Sequence, residues 1–258
     1  MLLVIDIGNT NVTLGLYEQN TLGPRWRLAI GHERTSDEYG LIMLGLFRRA
    51  DVTASSVDSA AVASVVPPLT GAFVEACRQY LKFEPLVVNG DCDTGISIRC
   101  DDPSPVGTDR IVDAAAAHYL YGGPACIVDF GTATTFDAIS REGEFLGGAI
   151  APGMVISADA LFKRAAKLPR VDFLRSSTAI GKNTALSLQS GLLFGYIGLV
   201  EGMVSRFRDE LGPEMKVIAT GGLADVIAKE TEVISVIAPW LTLEGLKIIH
   251  DLNVGEDA

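Results

Sequence analysis

Two aspartates end apolar runs and are followed at once by glycine and small polar side chains. They are Asp6 in LLVIDIGNTNVTLGLY (residues 2–17) and Asp129 in ACIVDFGTATTFDA (125–138). These residue types suit a phosphate site. A glycine turn exposes backbone N–H groups, and Asn or Thr side chains add donors for phosphate oxygens. A carboxylate repels phosphate unless a cation lies between them, so Asp6 and Asp129 read as indirect ligands of Mg²⁺ or a monovalent ion. The plainer alternative is an Asx-turn, in which each aspartate satisfies amides of its own turn. The repetition brings the phosphate reading level with it.

A third stretch, PVGTDRIVDAAAAHY (105–119), places Asp109 and Arg110 at the start of a helical pattern. A carboxylate is favoured at a helix N-terminus by the peptide dipoles, and a cation is not. Asp109 therefore reads either as a helix cap or as a general base. Arg110 is useful there only with an anionic partner. A substrate carboxylate held by Arg110, with Asp109 taking a proton from a nearby hydroxyl, is chemically coherent. His118 on the same helix reads as a core or surface histidine. Three further motifs have equally plain structural readings. GGAIAPG (147–153) reads as a glycine cluster that lets the chain approach a ligand closely or as a tight turn, ATGGLADV (219–226) as a strand-to-helix junction that packs against a nucleotide's adenosine or is simply a close turn, and Thr184 in GKNTALSLQSG as a helix cap.

The elements that must present these residues follow from periodicity. Each D-x-G turn is flanked by an apolar strand and a second strand of alternating character (VTLGLY, TTFDAI), which makes two β-hairpins about half a chain apart. After the first come a mixed segment to about residue 50 and the strand SAAVASVV, closed by Pro67-Pro68. A helix over 69–82, the strand PLVV, a loop over 89–105 and the helix containing Asp109, stopped by Gly122-Gly123, follow. After the second come a loop at GGAIAPG, a helix over 153–167, a polar linker and a long helix from Thr184 to Leu211, stopped by Gly212-Pro213. The strand KVIAT, a helix near Leu223, the strand VISVIA and the helix LTLEGLKIIHDL complete the chain. The pattern predicts an α/β fold of two similar halves, residues 1–120 and 121–258, each with a mixed sheet flanked by helices and with a ligand cleft between them. Gly191, Gly195, Gly198 and Gly202 stripe the long helix, which suits close intrachain packing or a homodimer seam.

Composition narrows the function. The 258 residues carry a formal charge of -11, which argues against a nucleic-acid partner, and 48% are hydrophobic, enough for a substantial core. Cys77, Cys92, Cys100 and Cys126 form no C-x-x-C pair, and only His32, His118 and His250 could join them. Reduced thiols in a cytosolic protein fit better than a disulfide framework or a zinc site. MLLVID lacks the basic region of a signal peptide, and the apolar run 190–200 is too short for a bilayer. The terminal GEDA reads as a frayed tail.

Taken in order, DIGNT, VGTDR, DFGTATT, GGAIAPG, KLPRV (167–171), the GKNT…QSG…GY…EG helix and TGGLA resemble the motif series of type III pantothenate kinases, from residue 2 to about residue 250. That family lies in the acetate and sugar kinase/Hsp70/actin superfamily. The resemblance therefore implies an actin-like (ribonuclease H-like) duplication with the nucleotide in the cleft between the halves. It implies transfer of the ATP γ-phosphoryl group to pantothenate, the first step towards coenzyme A, in a cytoplasmic homodimer. A monovalent cation, K⁺ or NH₄⁺, and Mg²⁺ on the nucleotide are implied as well. Carried over by position, Asp6, Ile7, Gly8, Asn9, Thr10, Asn11, Val12 and Thr13 form the ATP loop, with Asp6 near the metal-nucleotide, and Thr132 is a further ATP contact. Asp109 is the catalytic base within a pantothenate-contacting stretch of Gly107, Thr108, Asp109 and Arg110. Thr184 contacts pantothenate too, and Asp129 is the monovalent-cation ligand. One departure stands out. Family members usually carry a tyrosine in a segment like I-x-Y-x-N-P, whereas this chain reads SIRCDDPSP with Cys100 there, so an aromatic wall of the substrate pocket is missing.

Overall fold

The computed structural model describes residues 1–101, 106–165, 168–172 and 178–254. The GEDA tail, Lys167 of KLPRV and residues 102–105 of SIRCDDPSP lie outside the described residues. The chain divides into two compact units, one of residues 1–121 with the C-terminal helix and one of residues 122–240.

In the first unit, β1 (Leu2–Ile7), β2 (Asn11–Glu18) and β3 (Thr21–Ala29) form an antiparallel meander, and β4 (Ser59–Ser64) and β5 (Leu86–Val87) add in parallel. The strand order is β3-β2-β1-β4-β5. Leu2 to Ile5 are all buried, as a central strand covered on both faces requires. The mixed segment before residue 50 resolves into β3 and α1 (Ser36–Arg49). Strand β3 tolerates Pro24 because it lies at the sheet edge. Helix α1 starts at a capping box formed by Thr35 and Glu38. Helix α2 (Pro67–Ala76) takes Pro67-Pro68 into its first turn, where a missing N–H costs nothing, rather than after a strand end. A two-residue strand β6 (Ser97–Ile98) and α3 (Thr108–Tyr121) follow.

The second unit repeats the plan. Strands β7 (Ala125–Phe130), β8 (Ala133–Ile139) and β9 (Glu144–Pro152) form a meander, and β10 (Lys216–Gly221) and β11 (Val236–Ile237) pair in parallel. Their order, β11-β10-β7-β8-β9, mirrors the first unit strand for strand. Helices α4 (Met154–Arg164), α5 (Thr184–Leu211) and α6 (Ala224–Ile227) complete the unit. GGAIAPG is not a loop: it is the body of β9, whose glycines accommodate a register shift opposite Ala138 and Ile139. Each unit encloses its own core, around Leu3, Ile5, Tyr39 and Phe73 in one and around Val128, Phe136, Ile197 and Val217 in the other.

The C-terminal helix α7 (Leu241–Val254) belongs to the first unit, whereas the sequence division at residue 120 assigns it to the second half. Leu241, Leu243, Leu246 and Ile249 are fully buried there. Gly245 lets its backbone close on α3, since a Cβ would strike the carbonyl of Val112. An amphipathic helix pattern says which face is buried but not against what. On α5 a Cβ at Gly191, Gly195 or Gly198 would meet nothing within 4 Å among the described residues, so no described residue packs into this part of the stripe.

Candidate active site

Both D-x-G turns close the hairpins that the sequence predicts, and their registers match. Asp6 lies opposite Thr13 across β1 and β2, and Asp129 lies opposite Thr135 across β7 and β8. The first turn leaves Gly8 to Asn11 between the last paired residues, Ile7 and Val12. It is closed by the Gly8 N–H donating to the Asn11 carbonyl at 3.0 Å, and Asn9, Thr10 and Asn11 are exposed. The second turn is one residue shorter, with Gly131 and Thr132 exposed and Asp129 half-buried behind them.

Asp129 is packed against two glycines, one in its own turn and one on β10. A Cβ on Gly131 would lie 3.1 Å from its Oδ2, and one on Gly221 would overlap its Oδ1. Gly221 also has φ +87°, a backbone conformation that favours glycine. A Cβ on Gly153 would overlap the Thr132 carbonyl oxygen and lie 2.7 Å from that of Gly131. Three motifs distant in sequence, DFGTATT, GGAIAPG and TGGLA, therefore meet around one carboxylate and one turn. Tyr196 joins them. Its buried phenol is hydrogen-bonded to Thr134 on β8 and to the backbone N–H of Met154, and its ring packs on Phe130 with centroids 6.3 Å apart. Burial holds this phenol above its ordinary pKa.

In the first unit the VGTDR stretch adjoins the first turn through Val65. The Val65 N–H donates to the Ile7 carbonyl at 3.1 Å, and its side chain reaches within 3.5 Å of where a Cβ on Gly107 would lie. Gly107 is the helix cap, because its carbonyl accepts from the N–H groups of Arg110 and Ile111. Thr108 and Asp109 thus occupy the first turn of α3, and Asp109 is not the cap. Its Oδ1 turns back to accept the Arg110 N–H at 2.8 Å, at a distance of 2.5 Å from the position of a Cβ on Gly107. Burial raises the Asp109 pKa, opposed by the Arg110 N–H and the Arg110 charge. A carboxylate so placed is better suited to take a proton than an exposed one. Arg110 is half-buried beside it.

Thr184 is exposed at the first position of α5. The cap is Asn183, whose side chain accepts the Leu186 N–H at 2.9 Å, so Thr184 is released from the capping duty expected of it. About 18 Å of helix axis separate it from Tyr196, and the second unit does not bring it to the Asp129 turn.

The donor set bears on the cations. Among the described residues no group of three or more His, Cys, Asp or Glu side chains could hold a metal ion. Asp6 and Asp129 act as single carboxylates, which does not make a protein cage for Ca²⁺ or Mg²⁺. A lone carboxylate in a glycine cradle that a Cβ would fill fits a monovalent cation, and fits a divalent ion that arrives on a nucleotide. Cys100 is half-buried, and all four cysteines are free thiols. No helix among the described residues is long and apolar enough to cross a membrane.

The sequence reading does not single out Tyr196 or Thr134 as site residues. Both lie within quoted motifs, Thr134 in DFGTATT and Tyr196 in the GY of the long helix, but the pattern assigns neither a partner.

The chain is 50% identical to a type III pantothenate kinase of Roseiflexus sp. (strain RS-1) over 98% of its length and 99% of the relative's. It is 49% identical to that of Moorella thermoacetica (strain ATCC 39073 / JCM 9320), over 98% of this chain and all of the other. Among solved structures, a Baf family protein from Campylobacter jejuni shares the fold with a TM-score of 0.63 at 19% identity, covering 96% of this chain and 97% of that one. The duplicated mixed sheets are those of the actin-like ATPase fold. The family model for type III pantothenate kinase matches residues 2–206. The DIGNT, VGTDR and DFGTATT turns all lie within that match, and the chain belongs to the type III pantothenate kinase family.

Proposed function

We propose that this protein transfers the γ-phosphoryl group of ATP to the primary hydroxyl of pantothenate, giving 4'-phosphopantothenate and ADP in the first step of coenzyme A biosynthesis. The observation that carries the reading is Asp109. Its carboxylate is folded over Gly107 and raised in pKa by burial, in a chain half identical along nearly its whole length to type III pantothenate kinases.

In this reading the substrate hydroxyl attacks the γ-phosphorus in line, the bond to the β,γ-bridging oxygen breaks, and the hydroxyl proton passes to Asp109. Arg110 holds the pantothenate carboxylate, with Gly107, Thr108 and Thr184 as further contacts. The loop from Asp6 to Thr13 (Ile7, Gly8, Asn9, Thr10, Asn11 and Val12 between them) and Thr132 hold the nucleotide's phosphates through backbone N–H groups and small side chains. A K⁺ or NH₄⁺ ion at Asp129, and Mg²⁺ carried by the nucleotide near Asp6, supply positive charge that offsets the phosphates. Most of the acceleration in phosphoryl transfer comes from positioning and electrostatics, which a rigid glycine-cradled carboxylate serves. The open glycine stripe on α5 supports a homodimer, and coenzyme A synthesis suits a cytoplasmic enzyme.

ADP release from MgATP with pantothenate, measured in K⁺ and in Na⁺ buffer, tests the reading. The expected result is pantothenate-dependent turnover in K⁺ that collapses in Na⁺. Folded protein with no pantothenate-dependent turnover in either buffer overturns the choice of acceptor. Equal turnover in both buffers overturns the cation requirement.

A further inference from the structure

We infer that Tyr196 is a positioning residue for the nucleotide: its single phenol oxygen locks the Gly131–Thr132 turn by joining β8 to the start of α4. The inference rests on the reading that this turn holds phosphates.

The turn exposes Gly131 and Thr132. Its two carbonyls lie against the Cα of Gly153, so its placement follows that of Gly153. Gly153 is the cap residue of α4 and provides no side-chain cap, which leaves the first N–H groups of that helix in need of partners. The phenol oxygen of Tyr196 lies at the Met154 N–H, the first residue of the helix. The same oxygen is hydrogen-bonded to Thr134, two residues beyond Thr132 on the fully buried side of β8. Below it the aromatic ring packs on Phe130, the residue that ends β7 before the turn. One side chain thus ties down the strand entering the turn, the strand leaving it, and the helix start against which it rests. Only 7% of Tyr196 is exposed, so water does not replace these contacts. A buried hydrogen bond lost from one partner also leaves the other unsatisfied.

The test is Tyr196→Phe, which keeps the ring and removes the oxygen, with Thr134→Val as a second variant from the other side of the bond. Binding of MgADP is measured by calorimetry, and KM for ATP and for pantothenate by steady-state kinetics. Tyr196→Phe should weaken MgADP and raise KM for ATP about five- to tenfold, with KM for pantothenate unchanged. Thr134→Val should act in the same direction, and the double variant should be no worse than the weaker single, because both remove one shared interaction. Variants that melt earlier but bind MgADP like the wild type overturn the inference, since Tyr196 would then be structural only. Additive effects in the double variant overturn it as well. Wild-type protein that binds MgADP without phosphorylating pantothenate defeats the proposed acceptor and leaves the binding test of Tyr196 intact. Wild-type protein that does not bind MgADP overturns both.

Discussion

Asp129 and Gly221 meet across two parallel strands: the glycine lies against Oδ1 of the aspartate and against the backbone of Phe130, in a space that a single Cβ would fill. At φ +87° an alanine at 221 is strained as well as overpacked. Gly221→Ala should cost about 1–3 kcal/mol of stability and raise the K⁺ concentration needed for half-maximal activity. Urea unfolding and a K⁺ titration of turnover check the two parts separately. An unchanged K⁺ response would show that the carboxylate's placement does not govern the cation.

Gly107 stands in the same relation to Asp109. A Cβ there would lie 2.5 Å from Oδ1, too close for the carboxylate to keep its place over the helix cap. Gly107→Ala should lower kcat by about tenfold or more, because misplacing a catalytic group is expensive in rate. KM for ATP should stay near the wild-type value. Steady-state kinetics distinguish this from general damage, which would change both.

Asp109 carries a stability cost that its proposed role as base explains. Burial raises its pKa, so the native state holds this proton more tightly than the unfolded chain does. Stability from this group is fully present below the unfolded carboxylate pKa and is lost as pH rises through the higher folded value. At pH 7 the charged carboxylate therefore destabilises the fold. Asp109→Asn should lower kcat by roughly 10²–10⁴-fold while unfolding at an equal or higher temperature. Its stability advantage should fade as pH falls below the ordinary carboxylate range. In the wild type, kcat/KM should fall at low pH with a midpoint above that range. A less stable Asp109→Asn variant with near-normal turnover would remove Asp109 from the mechanism.

Glu244 offers the same signature away from the chemistry. It lies in the first turn of α7, its Oε2 is buried with no hydrogen-bond partner among the described residues, and burial raises its pKa. Its charge, added to burial, helps push the Tyr17 phenol up to about 12. Glu244→Gln should stabilise the protein at pH 7, with the gain shrinking as pH falls through the raised pKa. Turnover should be unchanged. Paired thermal melts at pH 5 and pH 7.5 measure the difference, and a gain that grows at low pH would contradict the assignment.

The family resemblance implies a tyrosine where this chain carries Cys100. If the aromatic wall is what the pocket lacks, Cys100→Tyr should lower KM for pantothenate several-fold and leave KM for ATP alone. Initial rates with each substrate varied in turn provide the check. An unchanged KM for pantothenate would mean that other residues close the pocket.

Much of this protein is written in short-range pattern. Two apolar strands ending in D-x-G, a helix opening at Thr108 and a 28-residue helix from Thr184 to Leu211 stopped by glycine were all legible, because backbone sterics and hydrophobic periodicity act over a few residues. The repeat of Asp6 at Asp129 was legible for the same reason, and with it the duplicated architecture. Strand β9 was not, because its glycines carry no side-chain period and only pairing with β8 makes it a strand. Nor was the home of α7, which depends on Gly245 meeting Val112. The capping roles went to Gly107 and Asn183 rather than to Asp109 and Thr184, two residues away in the first case and one in the second, a distinction that only hydrogen bonds make. The convergence of Gly131, Gly153, Gly221 and Tyr196 on one turn was beyond sequence altogether. These residues lie in four different segments, and what relates them is the excluded volume of a missing Cβ and the reach of one phenol oxygen, which exist only once the sheet has paired and the helices have packed.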